Sequence, residues 1–241
     1  MSNLIPKVIY QTWKTKDLDI KVQSVINNIQ KINPEYKMIL FDNNDIEEWI
    51  INTFKNDNIM YITYKKLKVG AAKADFWRYL ILYINGGIYL DIDSNIIQSL
   101  DLLINTNDEA IISRQQHGPN DFVQWCLMFA PKHPILLRTI NLCIYNINNK
   151  ISHWLPTLTG PTVFTNAVNF VLKKKYNLET EISLFNFTDN DINNITNKEE
   201  NVFCRFYLTD YENFCEYDNK CKDILLKNTI YWKNDKNIFN N

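Results

Sequence analysis

The sequence lacks several features that would decide its class at once. Its formal net charge is -1, so it has no overall basic field to hold a nucleic acid. Its apolar runs, such as "YLILYI" at 79–84, are far shorter than the roughly 18 to 20 residues that span a bilayer. The opening residues "MSNLIPKVIYQTW" lack the basic, apolar and small-residue regions of a secretory signal. These absences predict no nucleic-acid partner and no transmembrane segment.

Paired cysteines are also missing. The chain has five cysteines and no CxxC pair, which fits neither a disulfide framework nor a zinc ribbon. Together with the absence of a signal or anchor, this predicts a reducing, cytoplasmic location, as in a microbial or viral enzyme. Hydrophobic residues make up 46% of the 241 and charged residues 22%, which is typical of one globular domain.

The first part of the chain alternates between two hydrophobic periods. Strand-like runs at 6–13 and 36–42 are each followed by a segment with the three-to-four spacing of an amphipathic helix, at 19–32 and after Asn44. Strand, helix, strand, helix indicates an α/β layer fold. We expect a single domain with a central mixed sheet and helices on both sides.

A third unit, a helix followed by a strand, leads to a pair of carboxylates. Residues 70–83 favour a helix, and Asn85-Gly86-Gly87 ends it and begins the strand of "GGIYLDIDSN". Asp91 and Asp93 then lie at the end of that strand, where α/β sheets bind ligands.

The remaining segments are assigned more coarsely. We expect strands at 109–114 and 122–130, helices at 133–147 and from 161 onward, a polar loop at 178–201, and closing strands in "VFCRFYLTDY" and "TIYWKND". His133 precedes a proline at a helix start, so a structural role is favoured over a catalytic one.

Two interpretations of Asp91 and Asp93 remain open on the residues alone. Strands often end in Asp, Asn and Ser because these residues favour turns. Alternatively, residues two apart share one face of an extended chain and can converge on one cation. Oxygen ligands without His or Cys indicate Mn²⁺ or Mg²⁺, which takes further oxygens from substrate phosphates.

Asp75 and Arg78 are spaced by three and share a helix face. The spacing alone favours an ordinary surface ion pair, which contributes little to stability. The functional alternative places Arg78 toward a phosphate or sugar hydroxyl, which suits its planar fork.

Three segments together resemble a known family: "IPKVIYQTW", "AAKADFWRYLILYINGGIYLDIDSN" and "TGPTVFT". They are similar to the DXD sugar-binding glycosyltransferases, which include initiating α-1,6-mannosyltransferases and α-1,4-galactosyl- and N-acetylglucosaminyltransferases. The central segment also resembles the catalytic core of large glucosylating toxins. The resemblance covers most of residues 5–165 and implies a GT-A fold, with a donor-binding half at about 1–115 and an acceptor-side half at about 116–241.

The resemblance also implies roles for individual residues. Asp91 and Asp93 would form the metal and diphosphate motif, with Asp93 the more direct metal ligand and Asp91 nearer the ribose and sugar. Asp75 and Arg78 would contact the donor sugar or diphosphate and complete the catalytic set. Other positions would line the donor and acceptor sides: Gln11, Thr12 and Trp13 at the base-binding edge, Tyr89 in the nucleoside pocket, Trp232 at the β-phosphate, and Gly160 and Pro161 on the acceptor side.

The chain also departs from the family pattern. Tyr10 stands where the family commonly has His, and histidines are few before Trp232. No secure nucleophile is evident: Asp121, Asp210 and Glu212 lie in expected loops and are as consistent with solvated side chains. Trp125, Trp154 and Trp232 are candidates for a sugar-stacking platform.

The sequence therefore predicts a metal-dependent, retaining glycosyltransferase that forms an α-linkage to a glycan or other hydroxyl acceptor. Its cofactor would be Mn²⁺ or Mg²⁺ and its donor a UDP-sugar. The alternatives are a GDP-mannose-type mannosyltransferase, a nucleotide-sugar hydrolase, and a non-catalytic module that binds sugar nucleotides or glycans.

Overall fold

The computed structural model describes residues 3–55, 58–113, 122–172 and 238–240, together with the backbone of two short strands at 205–207 and 215–217. The first strand, β1, is Val8–Thr12, followed by α1 at Ile20–Ile32, β2 at Lys37–Phe41 and α2 at Asn43–Phe54. These elements confirm the expected strand–helix alternation. Asp19 and Asp42 begin the two helices by accepting hydrogen bonds from backbone N–H groups of the first turn.

The middle of the chain supplies the elements on which the carboxylates lie. They are α3 (Ile59–Lys66), α4 (Gly70–Asn85), β3 (Gly87–Leu90), β4 (Ser94–Ile96), α5 (Leu100–Leu103) and β5 (Ala110–Ser113). Helix α3 was not predicted. Gly86 ends α4 with a φ of 66°, and a Cβ there would meet Pro131 and Pro6 within 2.8 Å. Only glycine fits such a backbone and such close neighbours.

The later elements are β6 (Cys126–Phe129), α6 (Pro134–Asn148), α7 (Leu155–Leu158), α8 (Pro161–Leu172), β7 (Arg205–Tyr207) and β8 (Cys215–Tyr217). His133 begins α6, and its Nδ1 accepts a hydrogen bond from the backbone N–H of Ile135 at 3.3 Å. This confirms the structural role expected for His133. The loop at 178–201 and the strand in "TIYWKND" lie outside the described residues.

Six strands form one mixed sheet in the order β2-β1-β3-β6-β5-β7. Strands β2, β1 and β3 are parallel, and β6 is antiparallel to both β3 and β5. A smaller sheet pairs β4 with β8. The carboxyl ends of β1 and β3 therefore meet at the same edge of the main sheet.

Both faces of the main sheet are buried. Tyr10, Tyr89 and Leu127 face α4, α6 and α8, whereas Ile9, Ile88 and Met128 face α1 and α5. Alternate strand residues thus enter two apolar layers. The predicted α/β architecture with helices on both sides is confirmed.

Candidate functional site

Asp91 and Asp93 lie in a tight turn. Strand β3 ends at Leu90, and the backbone N–H of Ser94 donates to the Asp91 carbonyl at 3.0 Å. The Asp91 N–H donates to the Trp125 carbonyl at 2.8 Å, which ties the turn to the segment before β6. The expectation that the two carboxylates share a face of an extended strand is therefore wrong: the chain turns after Leu90, because it must leave the main sheet to begin β4.

The two oxygens of Asp91 differ in their surroundings. Oδ1 accepts a hydrogen bond from the Tyr89 hydroxyl at 2.8 Å and lies 3.3 Å from Nη2 of Arg78. No contact from the described residues reaches Oδ2, and the side chain is 25% exposed. The protein thus fixes one oxygen and leaves the other for a ligand.

Arg78 and Asp75 form a buried ion pair at 3.0 Å between Nη2 and Oδ1, and their side chains are 5% and 8% exposed. The interpretation as a surface pair is therefore wrong. Helix α4 is buried around most of its circumference, between the sheet and α6, so a residue on this face has no access to water. Removing either charge would leave the other buried without its partner, which is strongly destabilising.

Most of Arg78 is occupied by the protein. Nη1 donates to the Gln124 carbonyl at 3.0 Å, Nη2 lies between Asp75 and Asp91, and the guanidinium stacks 4.3 Å from the centre of the Tyr89 ring. Burial alone would lower the pKa of Arg78, but the neighbouring Asp91, Tyr89 and Asp75 raise it, so the side chain stays ionised. Arg78 thus helps to fix the position of the Asp91 carboxylate.

Asp75 is held by groups from three other positions. Besides Arg78, its Oδ1 accepts a hydrogen bond from Nε2 of Gln124 at 3.1 Å, and its Oδ2 accepts one from the Thr159 hydroxyl at 3.0 Å. Burial raises the pKa of Asp75 to about 6, although Arg78 and the two hydrogen bonds oppose the rise. At neutral pH the carboxylate is ionised and serves as the anchor of Arg78.

Tyr89 lies beneath the turn. Its ring is 1% exposed, and its hydroxyl is within 3.0 Å of the Thr12 hydroxyl as well as donating to Asp91. Burial raises the pKa of Tyr89 well above its ordinary value, so the phenol keeps the proton that it donates. The nucleoside contact expected for Tyr89 would need an exposed ring. The ring is instead buried beneath the turn, because Tyr89 points toward α4 and is covered by Arg78.

The residues of the predicted base-binding edge lie beside this cluster. Gln11 is 2% exposed, and its Nε2 has no hydrogen-bond partner among the described residues. Trp13 follows β1 and is half-buried against a small apolar group that includes Ile92, the residue between the two carboxylates. The chain therefore brings Gln11, Thr12 and Trp13 to the same sheet edge as the turn.

Gly160 and Pro161 lie between α7 and α8. A Cβ on Gly160 would come within 2.7 Å of Pro156 Cα, so close packing explains the glycine, and Pro161 begins α8. The neighbouring Thr159 reaches the cluster through Asp75. An acceptor contact of Gly160 or Pro161 stays a prediction.

Sequence reasoning missed Gln124 and Thr159. Thr159 belongs to the quoted segment "TGPTVFT", and its position before a conspicuous Gly-Pro pair was an available signal. No sequence signal pointed to Gln124, because its role depends on where the start of β6 meets α4. Trp232, Asp121, Asp210 and Glu212 lie outside the described residues.

Comparison with known proteins identifies this region. Residues 19–112 match the family model described as "Glycosyltransferase sugar-binding region containing DXD motif". This part of the chain is thus similar to the sugar-binding region of the DXD glycosyltransferases. The matched residues include Asp75, Arg78, Asp91 and Asp93, and Asp91-Ile92-Asp93 has the DXD pattern.

Several proteins that are similar to this chain are mannosyltransferases by name. It is 32% identical to inositol phosphoceramide mannosyltransferase 3 of Schizosaccharomyces pombe, over 58% of this chain and 37% of that protein. It is 28% identical to the initiation-specific α-1,6-mannosyltransferase of the same yeast, over 81% and 53% respectively. An uncharacterized glycosyltransferase of Acanthamoeba polyphaga mimivirus, L373, is 28% identical over 97% of this chain and 77% of that one. The chain thus spans about a third to a half of the yeast proteins.

A solved structure supports the fold of this chain. PaToxG glycosyltransferase aligns with a TM-score of 0.55 and 21% identity, over 69% of this chain and 68% of that one. At this identity the likeness shows the fold alone, and the fold is of the GT-A type.

The prediction of a cytoplasmic location is wrong. It depended on missing signals, whereas several of the relatives are yeast mannosyltransferases of the Golgi type. Across the described ranges, no helix has both the length and the apolar character to cross a membrane.

The DXD turn fits a hard divalent ion held partly by substrate. Within the described ranges, no group of three or more His, Cys, Asp or Glu side chains could hold a metal by itself. Mn²⁺ and Mg²⁺ commonly use one or two protein carboxylates and complete their shell with phosphate oxygens and water. The partly exposed Asp91 and Asp93 offer such a partial set.

Proposed function

We propose that this protein transfers a hexose from a nucleotide-diphosphate donor to a hydroxyl acceptor, with Asp91 and Asp93 holding a divalent cation. The main support is the asymmetry of Asp91: Tyr89 and Arg78 fix Oδ1 from below, and no described residue contacts Oδ2. A carboxylate that is held from inside the protein and open toward solvent is preorganised for a ligand.

The bound cation would neutralise charge that develops on the departing nucleotide diphosphate. The chain's own residues would prepare that event. Arg78 orients Asp91, Asp75 anchors Arg78, and Gln124 and Thr159 hold Asp75 in turn. The buried Nε2 of Gln11, at the end of β1, is a donor available to the ligand.

We further propose that transfer retains the configuration of the sugar and that a donor phosphate oxygen takes the proton from the acceptor hydroxyl. Asp75 is the carboxylate that the structure places behind the DXD turn, and both of its oxygens accept hydrogen bonds in a site closed to solvent. It is therefore unsuited to act as a nucleophile, and positioning with charge stabilisation supplies the rate enhancement.

Two donor classes are proposed for test. The resemblance to the family as a whole favours a UDP-sugar. The names of the relatives give specific support to mannose, for which GDP-mannose is the donor to test. A hydrolase would use the same donor residues and admit water as acceptor.

The deciding experiment measures donor cleavage and thermal stabilisation with a panel of UDP- and GDP-linked sugars, with and without Mn²⁺. It compares the parent with Asp93→Asn and with Asp101→Asn, a surface carboxylate that contacts Lys7 and Tyr36. We expect one donor to be cleaved only with metal, by the parent and by Asp101→Asn but not by Asp93→Asn.

The other outcomes separate the alternatives. Donor binding without cleavage, unchanged by hydroxyl acceptors, would indicate a binding module. Cleavage that no glycan or lipid acceptor accelerates would indicate a hydrolase. If metal and donors stabilise no form of the protein, the DXD turn has only a structural role and the proposal is wrong.

A further inference from the structure

The described part of the chain separates its charges unevenly. Residues 58–74 contain four lysines and no Asp or Glu, and residues 122–172 contain Lys132, Arg138 and Lys150, again with no Asp or Glu. The whole chain nevertheless has a net charge of -1. These two segments therefore carry positive charge without acidic residues of their own, although Lys65 of α3 is paired with Glu47 of α2 and Arg138 is buried. Such segregation favours an anionic partner for that side of the molecule.

These two segments meet at one end of the fold. The Asn148 side chain at the end of α6 accepts a hydrogen bond from Lys66 of α3 at 2.6 Å. Phe239 contacts the segment that follows α6: its ring centre lies 5.7 Å from that of His153 and 5.7 Å from Nζ of Lys150. Lys66 of α3 and Lys150 therefore belong to one surface, whereas Lys65 turns to Glu47 of α2.

The same surface exposes large apolar side chains. Ile151 is 56% exposed and Trp154 is 52% exposed. Ile62 lies one turn before Lys66 on α3 and Tyr145 one turn before Asn148 on α6, and both are exposed as well. The short segment that holds Ile151 and Trp154 is fixed at both ends: the Ile151 N–H donates to the Asn146 carbonyl at 3.0 Å, and the Asn146 side chain donates to the Thr157 carbonyl at 3.0 Å. These hydrogen bonds fix the segment in a conformation that exposes an aliphatic and an indole side chain to solvent.

We propose that this surface, formed by Ile62, Tyr145, Ile151 and Trp154 with Lys66 and Lys150, binds the surface of an anionic lipid membrane. Aliphatic tips beside an indole and a phenol, with lysines around them, suit the boundary between acyl chains and acidic headgroups. A nucleic acid would give the exposed isoleucines nothing to stack on, so the membrane is the better match.

The location of the surface relates it to the DXD site. Trp154 immediately precedes α7, and α7 leads to Thr159, which bonds Asp75. A membrane bound at Trp154 would therefore lie on the side of the molecule from which the predicted acceptor-side residues come. This inference is independent of the proposed function, because it concerns binding to lipid in the absence of any donor.

The test is co-flotation with vesicles of phosphatidylcholine alone or of phosphatidylcholine with phosphatidylinositol, at low and high salt. We expect the parent to bind the anionic vesicles and to be released by salt. Ile151→Ser with Trp154→Ser should weaken binding by about tenfold or more through lost apolar contact. Lys66→Gln with Lys150→Gln should weaken it by roughly tenfold through lost attraction to the headgroups.

The matched control removes two apolar side chains elsewhere that are even more exposed, Ile20 at 82% and Leu102 at 81% exposure. Ile20→Ser with Leu102→Ser should bind vesicles as the parent does. The proposal is overturned if the parent ignores anionic vesicles, if it binds neutral vesicles equally, if the surface variants bind like the parent, or if a single-stranded nucleic acid competes the vesicles away. Donor cleavage measured on the same samples keeps a failure here distinct from a failure of the transferase proposal.

Discussion

The phenol of Tyr89 determines which oxygen of Asp91 is left for a ligand. Its hydroxyl bridges Thr12 on β1 and Asp91 after β3, so two parallel strands jointly orient one carboxylate. Since burial keeps the phenol protonated, the orientation does not change with pH in the neutral range. Tyr89 is thus a positioning residue.

Tyr89→Phe should therefore reduce the affinity for Mn²⁺ and donor by about five- to tenfold, which corresponds to about 1 kcal/mol, the typical net contribution of one hydrogen bond. The ring and its stacking with Arg78 remain, so the fold should persist with a loss of about 1 kcal/mol in the free energy of unfolding. Isothermal titration with Mn²⁺ and donor measures the effect.

Tyr36→Phe is the matched control for this change. It also removes a tyrosine hydroxyl that donates to an aspartate, Asp101, at 2.9 Å, but away from the DXD turn. Its donor affinity should equal that of the parent. Equal affinities for Tyr89→Phe and the parent would show that Asp91 needs no orientation by the phenol.

Asp75 gives a prediction for pH. Its pKa is raised by burial to about 6 from an ordinary 3.8, so between these values the folded chain binds a proton that the unfolded chain has lost. The contribution of Asp75 to stability is therefore fully present below about pH 4 and is lost as the pH rises through about 6.

Asp75→Asn should abolish this contribution. In urea unfolding with a chelator present, the free energy of unfolding of the parent relative to Asp75→Asn should fall between about pH 4 and pH 6, by on the order of 1 to 3 kcal/mol, and level off above. Two curves that run parallel across this range would contradict the raised pKa.

At the scale of elements, two glycines occupy opposite environments. Gly160 joins α7 to α8, where a Cβ would lie 2.7 Å from Pro156 Cα and 3.0 Å from the Leu155 carbonyl oxygen. Gly70 begins α4, where a Cβ would meet nothing within 4 Å. The same substitution should therefore have opposite signs at the two positions.

Gly160→Ala should lower the free energy of unfolding by about 1 to 3 kcal/mol and weaken donor binding, because the displaced backbone moves Thr159 away from Asp75. Gly70→Ala should raise it by up to about 1 kcal/mol, since alanine restricts the unfolded chain and favours a helix. Thermal and urea unfolding measure the stability of both variants. If both substitutions lower the free energy of unfolding, the prediction that a methyl group fits at Gly70 is wrong.

Elements with a clear period were predictable, and contacts between elements were not. The periods of 19–32, 36–42 and 70–83 indicated α1, β2 and α4 because each buries one or both faces against the same sheet. Asp75 and Arg78 were correctly paired by spacing, yet their burial depends on α4 lying between the sheet and α6, which no local pattern encodes. Gln124 and Thr159 were missed for the same reason, since they are 49 and 84 residues from the aspartate they bind.

At the scale of the whole molecule, the two halves suggested by the resemblance share their structure. Strand β6, at Cys126–Phe129, lies between β3 and β5 in the sheet, although both of those strands precede it in the chain. One apolar cluster includes Tyr10 and Trp77 from the first half and Phe164 and Phe239 from the second. We therefore expect that the donor-binding half is not an independent folding unit.

A fragment of residues 1–121 tests this directly. It lacks β6, so β3 and β5 lose the strand that joins them, and α4 loses the layer of α6 and α8 that covers it. We expect the full chain to unfold in one cooperative thermal transition and the fragment to show none, because the uncovered apolar area leaves too little burial to offset chain entropy. Circular dichroism at matched concentration measures both, and Leu102→Ser in the full chain controls for a minor surface change. A cooperative transition in the fragment near that of the full chain would establish the donor-binding half as a separate domain.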